Sequence, residues 1–245
     1  MREVRGQRHT DMRVLLACEE SQEVTKALRA NGHHAYSCDL KPCSGGYPEW
    51  HLQMDVFEAI ELKPWDAALF FPECTFLTSS AEWAYKDGPY HQKVKQGTLV
   101  GEKRRKARKE QIEFVKKLWS SKIRKKAIEN PVGVLSTKWS KPNQYIQPYE
   151  FGEDASKNTC LWIDGFPLLK PTKYVQPRVV NGKNRWGNQT DSGQNKLSPD
   201  SKRSETRSKT YQGIAKAIAD QWFPNINLNN KNYERQMGIL HRQKR

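Results

Sequence analysis

No apolar run in the 245-residue chain approaches the roughly 20 residues that span a bilayer, so no transmembrane helix is expected. Residues 1–11 are charged and hold no apolar stretch, which reads as a flexible, exposed extension rather than a secretory signal. Cysteine is sparse and odd in number, five in all (Cys18, Cys38, Cys43, Cys74 and Cys160), with no CxxC pair and no Cys/His spacing suited to zinc. This argues against a disulfide scaffold and against a metal site, and for reduced thiols in a cytoplasmic setting. No internal repeat is present. No helical pattern joins a long apolar face to a basic one, so a membrane surface is the lesser candidate for a partner. The glycine-rich GxGxxG turn of dinucleotide-binding folds is also missing.

What the chain has in excess is positive charge. Lysine and arginine number 42 against 27 acidic residues, a net charge of +15 that favours a polyanionic partner, most simply DNA or RNA. Eight tryptophans and a 36% hydrophobic content are enough for a real core, and the length suits one substantial domain with a small attachment, a monomer or weak dimer.

The pattern along the chain is βαβ with further strands. Residues 13–18 form a short apolar run, a buried strand. Residues 23–31 carry Val24, Ala27 and Leu28 at helical spacing before Gly32 stops them. Residues 34–39 and 66–71 read as strands, the latter ended by Pro72, and 125–130 and 159–163 as two more. A long helix is expected over 101–121 and an amphipathic one over 211–222. Strands alternating with helices imply a Rossmann-like α/β fold with a doubly wound, mostly parallel sheet. Residues 12–170 form the main domain, 171–208 a small basic insert read as a long loop or irregular segment over 177–208, and 209–223 a helix completing the domain. Residues 224–245 are a polar tail.

In such a sheet ligands bind beyond the C-terminal strand ends. After the first strand comes Cys18-Glu19-Glu20-Ser21, where Ser21 either caps the next helix or touches a cofactor. Asp39 ends the second strand, where a carboxylate can accept both hydroxyls of a ribose or serve as a turn residue. Asp55 stands at a third strand edge, as an adenine contact or a helix N-cap. Cys74, in Pro72-Glu73-Cys74-Thr75, follows the most hydrophobic strand. A thiolate there can attack an electron-poor ring carbon reversibly, although a cysteine so placed is often merely buried. Glu129-Asn130-Pro131 follows another strand, and a glutamate there can bind the N3/N4 edge of cytosine.

Taken in order, Ala17-Cys18-Glu19, Cys38-Asp39-Leu40, Asp55, Pro72-x-Cys74, Glu129-Asn130, the stretch 147–162 and Thr210-Tyr211-Gln212-Gly213 resemble the cytosine-C5 DNA methyltransferase family, in particular its compact phage-encoded members. The resemblance covers most of residues 12–223. It implies the class I methyltransferase fold, S-adenosylmethionine as cofactor, Cys74 as nucleophile at cytosine C6, and Glu129 with Asn130 at the base. Cofactor contacts would come from Cys18, Glu19, Ser21, Asp39, Leu40, Asp55 and Pro72. A phage-encoded member would act in the host cytoplasm, in restriction evasion. The basic residues that follow the glutamate strand in the family fall near Lys157 and Thr159.

The chain departs from the family at Glu73, where the motif has a second proline and where a carboxylate would raise the thiol pKa. It departs also at the glycine-free first turn, at Pro131, and in having only 171–208 where a target-recognition domain stands. The expected DNA contacts are the run Arg104, Arg105, Lys106 and Arg108, together with Lys157, Arg185, Arg203 and Arg207. Residues 83–101, rich in glycine, could close over a flipped base. Competing readings keep the fold but change the substrate to RNA or a free cytosine nucleotide, change the transferred group, or leave a catalytically degenerate DNA-binding protein.

Overall fold

The computed structural model describes residues 11–79, 81–91, 93–197 and 207–226. Most of the N-terminal extension, Arg203 and most of the tail lie outside the described residues. In chain order the elements are β1 (Arg13–Ala17), α1 (Glu23–Ala30), β2 (His34–Asp39), β3 (His51–Gln53), α2 (Val56–Leu62), β4 (Ala67–Phe70), α3 (Gly101–Trp119), β5 (Lys125–Pro131), α4 (Leu135–Lys138), β6 (Gln144–Ile146), β7 (Thr159–Asp164), β8 (Arg178–Val180), β9 (Lys183–Arg185) and α5 (Gln212–Trp222).

The apolar runs become the inner strands of a seven-stranded sheet of order β3-β2-β1-β4-β5-β7-β6. The first five strands are parallel, and β7 runs antiparallel to both of its neighbours. Successive residues of β1 face opposite ways, as the period of two demands. Val14 and Leu16 join a core with Val24 and Leu28 of α1 and Ile214 and Ile218 of α5. Leu15 and Ala17 join a second core with Val56 of α2 and Ile112, Val115 and Leu118 of α3. Helices therefore cover both faces of the sheet, which is why β4 and all of β1 after Arg13 are apolar.

Two features position the site. The chain leaves β1 through α1 to β2 on one side, while β4 lies on the other, so a crevice opens beyond the C-terminal ends of β1 and β4. The insert is also not wholly irregular. β8 and β9 form a separate two-stranded ribbon, closed by Asn181-Gly182 with φ of 50° and 71°, the left-handed pair that a type I′ hairpin turn requires. Among the described residues no helix is long and apolar enough to cross a membrane, and no group of three or more His, Cys, Asp and Glu side chains could hold a metal ion.

Candidate active site at the sheet's switch point

The crevice is a cleft of about 550 Å³ lined by Cys18, Ser21, Pro72, Cys74, Glu129 and Lys157, among others. A second trough of about 780 Å³ shares Thr78, Pro131, Lys157, Arg207 and Thr210 with it and continues past Asn158, Asn188, Gln189 and Asn195. Cys74 and Glu129 come together because β4 and β5 are adjacent and parallel, so both chains leave the sheet at the same edge.

The backbone holds the thiol in place. Phe71 N–H still donates to Ala17 C=O at 2.9 Å, and Pro72, lacking an N–H, ends the ladder. Leu77 and Thr78 N–H both donate to the Cys74 carbonyl, forming a tight turn. The fully buried Asn130 donates from Nδ2 to the Pro72 carbonyl at 2.8 Å, tying the end of β5 to the cysteine loop. Asn130 thus joins the end of β5 to the loop that carries Cys74, and its Oδ1 is buried without a partner. Val134 N–H donates to the Leu77 carbonyl at 2.8 Å, and a side chain at Gly133 would fall 2.0 Å from that oxygen, so only glycine allows the two loops this close.

The electrostatics turn on Lys157. Burial pushes the half-buried Cys74 thiol above its ordinary pKa; Lys157 opposes the rise, Glu129 adds to it, and Arg207 again opposes it. Burial also pushes the Glu129 carboxyl up, against Lys157 and the Thr159 hydroxyl. One ammonium thus acts on both groups, and it is held by donating to the Arg207 carbonyl at 3.1 Å. Glu73, expected to raise the thiol pKa, is exposed and accepts from the Thr75 hydroxyl at 2.6 Å; burial and Glu129 raise the thiol instead.

On the β1 side the glycine-free turn is made by two residues in the left-handed region, Cys18 (φ 61°) and Gln22 (φ 58°). Such a conformation costs a non-glycine residue about 1–3 kcal/mol. It is held here by the buried Gln22 amide, which bonds the Ser37 hydroxyl and both the N–H and C=O of Tyr47. Ser21, expected as a possible helix cap, is not the cap; the buried Glu19 does that work. Its carboxylate accepts from Val24 N–H, Thr25 N–H and the Thr25 hydroxyl. Glu19 is thus committed to α1, although the turn that carries it lines the cleft.

Asp39 accepts from Lys41 N–H and Asp55 from Phe57 N–H, each through one carboxylate oxygen, so Asp55 is the N-cap of α2. Neither Asp39, the exposed Leu40 nor Asp55 lines the cleft; the two carboxylates reach it through Cys18, whose thiol they help burial to raise.

Burial pushes Glu19 from its ordinary value near 4.5 to about 7, against its three hydrogen bonds. Because the folded value lies above the unfolded one, this group's contribution to stability is complete below about pH 4 and is lost as pH rises through about 7. The expected result is that unfolding free energy falls between pH 5 and 8 by roughly 3 kcal/mol more than in Glu19→Gln. Denaturant titrations of both proteins across that range check it, and parallel pH dependences would show that Glu19 keeps its charge in the fold.

The expected DNA contacts divide. Lys157 and Arg207 converge on the thiol, as above. The run on α3 largely turns inward. Arg104 is 7% exposed, with its guanidinium over the rings of Phe76 and Tyr85. Arg108 lies 3.3 Å over Tyr85 and bonds the Phe76 and Thr78 carbonyls and the Glu82 carboxylate. Arg105 bonds the Tyr85 carbonyl and Asp87, whereas Lys106 faces solvent beside Glu110.

These three arginines tie Phe76, Thr78, Glu82, Tyr85 and Asp87 to α3, while Arg105 and Lys106 stay exposed on the helix. Arg185 is likewise engaged with the Asp191 and Asn184 carbonyls. Arg108→Ala is expected to lower stability by about 2–3 kcal/mol, while Lys106→Ala leaves it within about 0.5 kcal/mol. Denaturant unfolding of the two variants checks this. Cleft residues that the sequence reading did not single out include Thr78 and Lys95; they come from loops, where no periodicity marks them.

Comparison with known proteins gave no match to any family model and no similar curated protein.

Proposed function

We propose that the protein is an S-adenosylmethionine-dependent methyltransferase acting on carbon 5 of cytosine in DNA. The observation that carries this reading is the meeting of Cys74 and Glu129 in one cleft at the ends of adjacent parallel strands, with Lys157 acting on both. A nucleophile and an acid with a shared cation, at the switch point of a mostly parallel sheet, form the constellation that addition to a pyrimidine ring needs.

The residues on the β1 side fit the cofactor. The cleft's volume lies within the range of small-molecule sites, about 300–1,000 Å³. Cys18, Ser21 and Pro72 would hold the cofactor along the cleft wall, with Asp39 and Asp55 beyond them. Bound there, it supplies an electrophilic methyl group.

The chain's own residues activate the base. Cys74, as thiolate, forms a bond from Sγ to cytosine C6. The C5=C6 pair shifts toward C4, charge arrives at N3, and the Glu129 carboxyl gives its proton to N3. Burial favours the protonated carboxyl that this step uses, while Lys157 and Arg207 offset what burial costs the thiolate. Carbon 5 is then nucleophilic. When carbon 5 later loses its proton to water, that electron pair restores C5=C6, the S–C6 bond breaks with its pair returning to Cys74 as thiolate, and N3 returns its proton to Glu129.

Incubation of DNA with the protein and S-adenosylmethionine, followed by digestion and mass analysis, is expected to yield 5-methyldeoxycytidine. Unmodified DNA despite saturable, salt-sensitive binding would overturn the enzymatic reading in favour of a DNA-binding protein. A larger mass gain would mean that another group is transferred.

A further inference from the structure

The β8–β9 ribbon has no role in the chemistry above. A two-stranded hairpin is marginal alone in water and needs support. Here the support is concentrated at its base. The Arg178 guanidinium bonds the Asp191 carboxylate and the Gln189 carbonyl, and Arg185 donates from Nε to the Asp191 carbonyl. Trp186, just past β9, stacks on Tyr149 at 4.2 Å and donates from its indole to the Val175 carbonyl. Gln189 also lines the trough continuous with the Cys74 cleft, as does Gly193, where an added Cβ would lie 3.1 Å from the Arg185 guanidinium. The ribbon is thus anchored at its base beside the trough, with its tip exposed.

Its two faces differ. Arg178 pairs with Arg185 and Val180 with Lys183, while Val179 pairs with Asn184 on the opposite face. The arginine face turns to its anchors. On the outer face Val179 is 68% exposed beside an exposed Asn184, and Asn181 and Lys183 are exposed at the tip. Residues 171–197 carry Lys173, Arg178, Lys183, Arg185 and Lys196 against one acid, Asp191, so the partner that complements the segment is a polyanion.

A B-form major groove admits a two-stranded ribbon, whereas the major groove of an RNA helix is too deep and narrow for side chains to read. An amide fits the N6/N7 edge of adenine, and an apolar side chain fits the thymine methyl. Val179 and Asn184, side by side on one face, present both.

We infer that the β8–β9 ribbon enters the major groove of duplex DNA beside the target cytosine and selects an A·T pair there, with Asn184 on the adenine and Val179 on the thymine methyl. This rests on the reading of DNA as the substrate. Fluorescence anisotropy with duplexes carrying each of the four base pairs at each position flanking one cytosine tests it. The wild type is expected to bind the A·T duplex about tenfold more tightly than the G·C duplex at one position. Asn184→Ala and Val179→Ala, both at exposed sites, should erase or reduce that preference. Lys183→Ala should weaken every duplex equally.

Equal binding of all duplexes by the wild type, a preference that survives Asn184→Ala, or equally tight binding of double-stranded RNA would overturn the assignment. If methyl transfer fails while the Asn184-dependent preference holds, the ribbon assignment stands and the methyltransferase reading falls. If methyl transfer proceeds equally on every flank, the ribbon assignment falls alone.

Discussion

With Cys74 replaced by serine, covalent trapping of a 5-fluorocytosine oligonucleotide is expected to disappear and methyl transfer to fall by about four orders of magnitude or more. The fluorine at carbon 5 cannot leave as a proton, so the S–C6 bond persists in the wild type and runs as a protein–DNA band in a denaturing gel. A serine hydroxyl at this place ionises far less readily than the thiol, and Lys157 and Arg207 offset only part of what burial imposes. The control is Cys160→Ser. Cys160 is buried on β7 opposite Asn130, and burial followed by Glu129 pushes it up to about 11. That variant should still trap. A persistent band with Cys74→Ser, or its loss with Cys160→Ser alone, would move the nucleophile to another thiol.

The strands that build this site were legible because they are buried on both faces. Residues 13–17 and 67–70 are short, nearly apolar runs followed by Cys18 and Pro72, residues 125–130 bury Ala127 and Ile128 at their centre before Pro131, and the residues after such strands mark a switch point whatever the loops do. The direction of β7 was not legible, since an apolar run reads alike in either sense. β3 and β6 are three-residue edge strands, too short for a period to show.

The basic run on α3 carried a signal that charge counting obscured. Arg104 and Arg108 lie eight and four residues before Ile112, on the stripe that continues to Val115 and Leu118. Helical spacing alone thus places these two guanidiniums toward the protein, and the aromatic Phe76 and Tyr85 receive them. Lys157 is singled out by the family resemblance and Arg207 by the charge of its stretch. That one of them governs both a thiol and a carboxyl depends on loops folding from β7 and from before α5 onto the ends of β4 and β5. Loop placement of that kind has no local sequence code.

Lys157 therefore carries the second large prediction. Among the neighbouring charges it is the strongest influence lowering the pKa of Cys74 and of Glu129. In Lys157→Met both groups lose that influence, and both pKa values rise. A higher thiol pKa leaves less thiolate at neutral pH, tenfold less for each unit, so the rising limb of the pH–rate profile moves to higher pH. A higher Glu129 pKa keeps the proton for N3 to higher pH, so both limbs of the profile move toward alkaline pH.

The whole profile should shift toward alkaline pH by the common rise of the two pKa values, the acid limb losing about tenfold in rate per unit of rise and the alkaline limb gaining as much. Lys157→Arg, which keeps the charge, should retain most of the rate. Single-turnover methyl transfer measured from pH 6 to 10 on the three proteins decides the matter. A uniform drop with the limbs unmoved would mean that Lys157 only holds the Arg207 loop through its bond to that carbonyl. A shift of one limb alone would mean that only one of the two groups takes part in the step.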